Sequence, residues 1–200
     1  MWIESEAELA ALYGTPGPAS LVKVLAHLIP AYRTWIERSP FCVLATVGPE
    51  GTDASPRGDD GPVVVVADDR TLLLPDRRGN DRIDSLRNIL RDGQVSLMFM
   101  VPGSANVLRV NGHARLTADP GLCARFARDG ALPRTVAVIT IAEVYFQCAR
   151  AVIRAGLWSG RDLSGGLPTP GAMLAEAAAG EFDGAAYDAE WPGRAARTMW

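Results

Sequence analysis

One short polar stretch, PDRRGNDRIDS, holds the residues best suited to chemistry in this sequence. It contains the guanidinium groups of Arg77, Arg78 and Arg82, the amide of Asn80 and the hydroxyl of Ser85. Forked guanidinium donors and the free N–H groups at the start of a helix both suit a phosphate dianion. We therefore expect this stretch to bind the phosphate of a phosphorylated cofactor.

The backbone of the same stretch supports this interpretation. The Gly79–Asn80 step allows positive φ, which would turn successive N–H groups inward as an anion nest. Apolar residues then recur at helical spacing, at Ile83, Leu86, Ile89 and Leu90. The alternative is a solvated turn in which the interleaved aspartates neutralise the arginines through salt bridges.

Two arginines and one tryptophan outside this stretch are further candidates for contact with a ligand. Arg57 lies in SPRGD at a strand end, and Arg109 lies in LRVNGHA on the same side of its strand as Asn111. Trp158, in RAGLW, could form a wall against an aromatic ligand. Each has a plainer alternative, since single arginines are often solvated and a tryptophan often packs in the core.

Other kinds of site have little support in the sequence. The only histidines, His27 and His113, form no Ser/His/Asp or Cys/His arrangement. The three cysteines are widely spaced, without the spacing of a zinc site, so we expect no metal and reduced, buried thiols. Paired aspartates such as Asp59–Asp60 fall in turns, where aspartate is favoured for turn chemistry, and we assign them no acid/base role.

The composition of the chain limits which other classes of function are plausible. The 200 residues carry a net charge of −3, which gives no general attraction to nucleic acid or to an anionic membrane. A nucleic-acid contact through the arginines of residues 77–91 is a weak alternative, since no aromatic residues are interleaved with them. We see no signal peptide and no apolar run long enough to span a membrane, and we expect a cytoplasmic protein.

The elements that must position these residues are mostly short strands. We predict helices at 4–13, 19–38, 120–130, 149–158 and 169–179, with the second kinked or interrupted at Pro30, and strands at 41–47, 52–56, 63–67, 71–75, 94–101, 107–118 and 136–147. Gly112 interrupts a strand pattern that continues past it, which indicates a bulge or a close backbone contact. Strands joined by hairpins favour an antiparallel barrel over βαβ units.

Five of these segments, in this order, resemble one known family. They are SPFCVLATV (39–47), SPRGD (55–59), LPDRRGNDRIDSLRNIL (74–90), LRVNGHA (108–114) and RAGLW (154–158). Together they are similar to the bacterial branch of the pyridoxamine 5′-phosphate oxidase-like FMN-binding split-barrel family. On this basis we expect an N-terminal helical extension (1–38), a barrel domain (39–158) and a C-terminal tail with a short helix (159–200).

The resemblance implies a mostly β fold with flanking helices (α+β), built on a six-stranded antiparallel split β-barrel of the FMN-binding type. It also implies a homodimer with two FMN molecules at the interface. The residues that match the family motifs, and are therefore expected to bind FMN, are Arg57, Arg77, Asn80, Arg82, Ser85, Arg109 and Trp158. Where the branch has two asparagines, this loop has Asn80 and Asp81, so we expect Asp81 to face solvent or to pair with an arginine.

The predicted function is that of an FMN-dependent oxidoreductase acting on an unidentified small molecule. True pyridoxamine phosphate oxidases have an Arg-x-His near the C-terminus that handles the substrate, and here no histidine follows His113. The sequence therefore argues against oxidation of pyridoxamine phosphate itself. A flavin-binding module for storage or sensing, without turnover, is the alternative. Relatives that hold haem or a deazaflavin leave those cofactors open as well.

Overall fold

A computed structural model describes residues 2–200 and contains one antiparallel sheet of seven strands. The strands are β1 (Phe41–Gly48), β2 (Gly51–Gly58), β3 (Val65–Val66), β4 (Thr71–Pro75), β5 (Gln94–Met100), β6 (Val107–Thr117) and β7 (Val136–Gln147). Their order across the sheet is β2-β1-β5-β6-β7-β4-β3. Every pairing is antiparallel, as hairpin-linked strands predict.

The sheet curves around one core without closing through backbone hydrogen bonds, which is the split-barrel arrangement that we predicted. β2 and β3 are its two edges. The seven strands match the number that the sequence pattern predicts and exceed by one the six that the family resemblance implies. The strand predicted at 63–67 is β3, which has only two residues and pairs with β4. On the core side, β1 buries Cys42, Leu44 and Thr46 at alternate positions. The fully buried side chains of Leu97, Phe99 and other apolar residues fill the interior.

The predicted irregularity at Gly112 is a β-bulge. The register between β6 and β7 shifts between Asn111 and Gly112. A Cβ at Gly112 would clash with the carbonyl oxygen of Thr140, and because this atom belongs to the backbone it cannot move aside easily. Glycine is therefore required here so that the two strands can approach each other closely.

Eight helices flank the sheet within residues 2–200. They are α1 (Glu6–Ala11), α2 (Pro18–Val22), α3 (Pro30–Ile36), α4 (Asp84–Arg91), α5 (Pro120–Ala124), α6 (Arg150–Ala155), α7 (Pro170–Ala177) and α8 (Gly184–Thr198). None of them is both long and apolar enough to cross a lipid bilayer. The helix predicted at 169–179 is present as α7, with the Thr169 side chain accepting from Ala172 N as its N-cap.

The predicted interruption of the helix over 19–38 is confirmed. Two separate helices lie there, because Pro30 occupies the first position of α3 and cannot continue a helix from the N-terminal side. The helix predicted at 120–130 ends at Ala124. The fifteen-residue α8 was not predicted, and its sequence contains Pro192, which normally argues against a helix interior.

Helix α4 is the element that matters most for the site. It crosses the sheet near β1 and is fixed there by the buried Asn88, whose Nδ2 donates to Thr46 Oγ1 at 3.1 Å. The predicted apolar face is partly wrong, since Leu90 is 74% exposed and Ile83 is also exposed. The buried face consists of Ser85, Asn88 and Ile89. Two polar residues of this helix, Ser85 and Asn88, therefore face the sheet.

Candidate phosphate-binding site

A cavity of about 330 Å³ lies between β2, the loop after β4 and the start of α4. We call it the cradle, and its lining consists of Asp53, Ser55, Arg57, Asp76, Arg77 and residues 79–86. Five of the seven residues predicted to bind the cofactor line it, namely Arg57, Arg77, Asn80, Arg82 and Ser85. The structure thus brings together side chains from separate segments of the sequence, with Arg57 on β2 and Ser85 on α4.

The first turn of α4 opens into the cradle without a capping side chain. Its N-cap residue is Ile83, which has φ 52° and cannot accept a hydrogen bond through its side chain. The first N–H groups of a helix have no partner within the helix. Asp84, Ser85 and Leu86 at this turn all line the cavity. The arrangement leaves donors and the positive end of the helix dipole facing a cavity of a size that fits an anion.

The left-handed residues of the loop are not the ones predicted. Positive φ occurs at Asp81 (60°) and Ile83 (52°), and not at the Gly79–Asn80 step. The Asn80 side chain accepts from the backbone N–H of Arg82 at 3.2 Å, and this local turn places Asp81 in the left-handed region. Asp81 itself pairs with Arg134 at 2.9 Å, which confirms the expectation that it would face solvent or an arginine.

Arg57 forms one wall of the cradle. It lies opposite Cys42 in the register of β1 and β2, so its side chain points to the core side of the sheet. Its Nη1 donates to Asp76 Oδ1 at 2.8 Å and its Nε to Ser55 Oγ at 3.2 Å. Among residues 2–200, Nη2 has no hydrogen-bond partner. Arg57 is therefore oriented by two bonds and retains donors for a ligand.

Arg77 also borders the cradle, but its guanidinium is already engaged elsewhere. Nε and Nη2 donate to Asp59 Oδ2 at 2.9 and 2.7 Å, and Nη1 donates to the carbonyl of Phe126 at 2.6 Å. The Trp200 ring stacks on the other side, 5.5 Å from the guanidinium carbon. Asp59, taken as a turn residue in the sequence, is only 4% exposed in its side chain. This pair anchors the loop, and direct cofactor contact by Arg77 stays a prediction.

Arg82 is the most exposed arginine of the cradle, with 77% of its side chain accessible. It pairs with Asp84 at 2.8 Å, and both residues lie at the opening of the cavity. An exposed pair of this kind contributes little to stability and can rearrange. Arg82 is therefore free to turn toward an incoming anion at low cost.

Two predicted residues lie outside the cradle. Arg109 projects from the outer face of β6, where its guanidinium stacks on Tyr145 at 5.3 Å. Trp158 follows α6 and donates from Nε1 to the carbonyl of Ser104 at 2.7 Å. Neither residue lines the cavity in this chain. Their roles in cofactor binding stay predictions.

The sequence analysis missed Asp53, Ser55 and Asp76, all of which line the cradle. Ser85 Oγ donates to Asp53 Oδ2 at 2.5 Å, and Ser55 Oγ lies 3.1 Å from Ser85 Oγ. A signal for the first two was present in the strand GTDASPRG. Because side chains alternate along a strand, Asp53 and Ser55 must share the face of Arg57.

The remaining reactive groups lie apart from the cradle. Burial raises the pKa of the Cys42 thiol to about 12, against a smaller opposing effect of the Arg57 guanidinium. Cys123 is also buried, but Cys148 is exposed, which corrects the expectation that all three thiols would be buried. Within residues 2–200, no group of three or more His, Cys, Asp or Glu side chains is arranged to hold a metal ion.

A second, wider groove of about 610 Å³ lies on the outer face of the sheet. A polar row crosses it from β5 to β7. Ser96 donates to Asn111 Oδ1, and Asn111 Nδ2 donates to Glu143 Oε1 at 2.6 Å. This groove is on the opposite face of the sheet from the cradle and on the same face as Arg109.

Comparison with known proteins identifies the family. The family model described as pyridoxamine 5′-phosphate oxidase matches residues 28–148, which is more than half of the chain. The protein belongs to this family. No curated protein sequence gives a significant match to the chain.

Several solved structures are similar to the chain at low identity. HupZ from Group A Streptococcus is 16% identical, with a TM-score of 0.48, over 58% of this chain and 91% of that one. A putative pyridoxamine 5′-phosphate oxidase from Lactobacillus delbrueckii is 21% identical, with a TM-score of 0.49, over 60% of this chain and 95% of that one. An FMN-binding protein from Syntrophomonas wolfei is 16% identical, with a TM-score of 0.46, over 58% of this chain and 83% of that one. The family assignment rests on the sequence match.

Proposed function

We propose that this protein binds FMN and uses it as an FMN-dependent oxidoreductase, with the FMN phosphate in the cradle. The observation that carries the proposal is the uncapped start of α4, which faces Arg57 and Arg82 across one cavity. Membership of the pyridoxamine 5′-phosphate oxidase family supports FMN as the phosphorylated ligand.

The donor set of the cradle fits a phosphate dianion. Arg57 supplies unpaired Nη2 donors, Arg82 supplies a guanidinium that can leave Asp84, and the first turn of α4 supplies backbone N–H groups. Charge-assisted bonds of this kind are stronger than neutral ones, and the helix dipole adds to them. Asp76 holds Arg57 in place from behind, so less side-chain entropy is lost when the phosphate binds.

FMN itself supplies the redox chemistry, because its ring system can accept and return a hydride. The protein's residues bind and orient the cofactor. Arg77, locked to Asp59 and Phe126, keeps the loop after β4 in its bound shape. Hydride transfer requires no protein general base, so a cradle without histidine is compatible with an enzyme. The substrate is an unidentified small molecule.

We further propose a homodimer in which two cofactors lie at the interface. Arg109 and Trp158 match family motifs but lie away from the cradle of their own chain. A second subunit packed on the outer face of the sheet could carry them to the partner's cofactor. The large exposed apolar side chains of α6 and the segment after it, Ile153, Leu157 and Trp158, support such a contact.

A flavin-binding protein without turnover is the second candidate. It is favoured by one observation, that no histidine follows His113, so the chain lacks the C-terminal Arg-x-His that handles the substrate in true pyridoxamine phosphate oxidases.

The visible spectrum of the purified protein tests the proposal. Purified or FMN-reconstituted protein should keep close to one flavin per chain after gel filtration. A colourless protein that takes up no FMN would contradict the proposal. Anaerobic addition of NADH or NADPH then separates the two candidates, because rapid bleaching indicates an enzyme and unchanged colour indicates a binder.

A further inference from the structure

Asp53 is a carboxylate inside a site built for an anion. It lies on β2, two residues before Ser55 and four before Arg57, on the same face of the strand. Its side chain borders the cradle and is partly buried. A negative charge in this position repels a phosphate, so its presence calls for a different ligand group beside it.

The bonding of Asp53 is incomplete within the described chain. Its Oδ2 accepts from Ser85 Oγ at 2.5 Å. Among residues 2–200 it forms no ion pair, whereas Asp76, Asp81 and Asp84 in the same lining each pair with an arginine. An ionised carboxylate has about four acceptor positions. Asp53 therefore keeps free acceptor capacity that faces a ligand cavity and that a hydroxyl donor can use.

The positions of the charges divide the cradle into two parts. Arg57, Arg82 and the start of α4 favour the phosphate, and Asp53 lies on the serine side beside Ser55 and Ser85. The ligand group next to the phosphate must therefore donate hydrogen bonds and carry no negative charge. A polyhydroxylated chain has this chemistry, and a second phosphate does not.

This inference rests on the proposed function. We propose that Asp53 accepts a hydrogen bond from a hydroxyl of the ribityl chain of FMN, and that it thereby selects polyol monophosphates for the cradle. Asp53 recognises the ribityl part of the cofactor, and Arg57 binds its phosphate. Ser85 orients the carboxylate by donating to one of its oxygens.

The two roles can be separated with three flavins and inorganic phosphate. FMN carries both groups, riboflavin carries the ribityl chain alone, and lumiflavin carries neither. For Asp53→Ala we expect FMN and riboflavin affinities to fall together by roughly tenfold or more, since a bond to a charged acceptor is lost. Lumiflavin affinity should not change. Inorganic phosphate should compete with FMN equally well or better, because a repulsive charge is removed.

Matched variants guard against a structural effect. Asp53→Asn keeps the shape and one acceptor oxygen, so its loss of riboflavin affinity should be smaller than that of Asp53→Ala. Glu50→Gln makes the same charge change on the β1–β2 hairpin, outside the cradle lining, and should leave every affinity unchanged. Folding of each variant is checked by thermal unfolding.

Failure of the proposed function and failure of the inference about Asp53 give different results. A wild-type protein that binds none of the flavins would end the proposed function itself. If wild type binds FMN but Asp53→Ala and Asp53→Asn keep full riboflavin affinity, the inference about Asp53 is wrong while the function stands. Equal losses for riboflavin and lumiflavin would also overturn it, because they would assign Asp53 a purely structural role.

Discussion

Arg57 and Asp76 form an ion pair, with 2.8 Å between Nη1 and Oδ1, that links β2 to the residue directly after β4. β2 is one edge of the sheet, and β4 lies next to the opposite edge. The pair therefore joins two parts of the barrel that no backbone ladder connects. The same contact orients the arginine that faces the cradle, so closure of the fold and assembly of the site depend on each other.

Replacing Arg82 should weaken FMN binding without affecting the fold. Arg82→Ala removes one charge-assisted donor, and we expect a loss of roughly 1.5–3 kcal/mol in FMN affinity. Stability should change little, because the Arg82–Asp84 pair is exposed. Titration of the apoprotein with FMN, followed by flavin fluorescence, measures this. Arg70→Ala, at the exposed turn before β4, is the matched control. Unchanged FMN affinity in Arg82→Ala would remove this residue from the site.

Replacing Arg77 should lower the stability of the fold. Arg77→Ala leaves Asp59, 4% exposed, with only the longer 3.3 Å contact to Arg128. We expect the free energy of unfolding of the apoprotein to fall by about 3 kcal/mol, as measured with urea. The double variant Asp59→Asn/Arg77→Ala should lose less than the sum of the two single variants. Additive losses would show that the pair does not act as a unit.

Gly112 should tolerate no side chain. In Gly112→Ala the new Cβ would meet the Thr140 carbonyl oxygen, so β6 and β7 must separate at the bulge. We expect a loss of about 1–3 kcal/mol in stability from this overpacking. Gly79→Ala is the control, since no atom lies within 4 Å of a Cβ built there. Thermal unfolding of both variants measures the difference, and equal stability would contradict the tight contact.

The thiols should differ sharply in reactivity. Burial and a pKa of about 12 keep Cys42 in its unreactive thiol form at neutral pH, and Cys123 is also buried. Cys148 is exposed, so a disulfide reagent should titrate one thiol per native chain and all three in denaturant. The Cys148→Ser variant should lose the native reaction. Fast reaction of a second thiol in the native state would indicate that the core around Cys42 opens.

The strands and the local part of the site were predictable from the sequence. The strand predicted at 136–147 has the bounds of β7, since a mostly apolar run rich in β-branched residues defines it. The cradle loop was recognised because its donors lie close together along the chain. Gly112 was recognised as irregular because a strand pattern continues on both sides of it.

What the sequence could not reveal depends on contacts between distant segments. Arg77 has the chemistry of a phosphate ligand, but Asp59, eighteen positions away, and the carbonyl of Phe126 engage all three of its guanidinium nitrogens. Alternation along β2 places Asp53 on the face of Arg57, but its contact with Ser85 forms only because β2 packs beside α4. Helix α8 was missed because Pro192 and the adjacent Gly193 both disfavour a helix interior. Trp200, which follows this helix, stacks on Arg77, and this contact was not predictable from the sequence either.

The most direct test of the central claim compares FMN with riboflavin by calorimetric titration of wild type and Arg57→Ala. Wild type should bind FMN more tightly than riboflavin, because only FMN carries the phosphate that the cradle holds. In Arg57→Ala this preference should shrink by roughly 1.5–3 kcal/mol, while riboflavin affinity stays near that of wild type. Equal affinities for the two flavins in wild type, or a preference for FMN that Arg57→Ala leaves intact, would contradict the account.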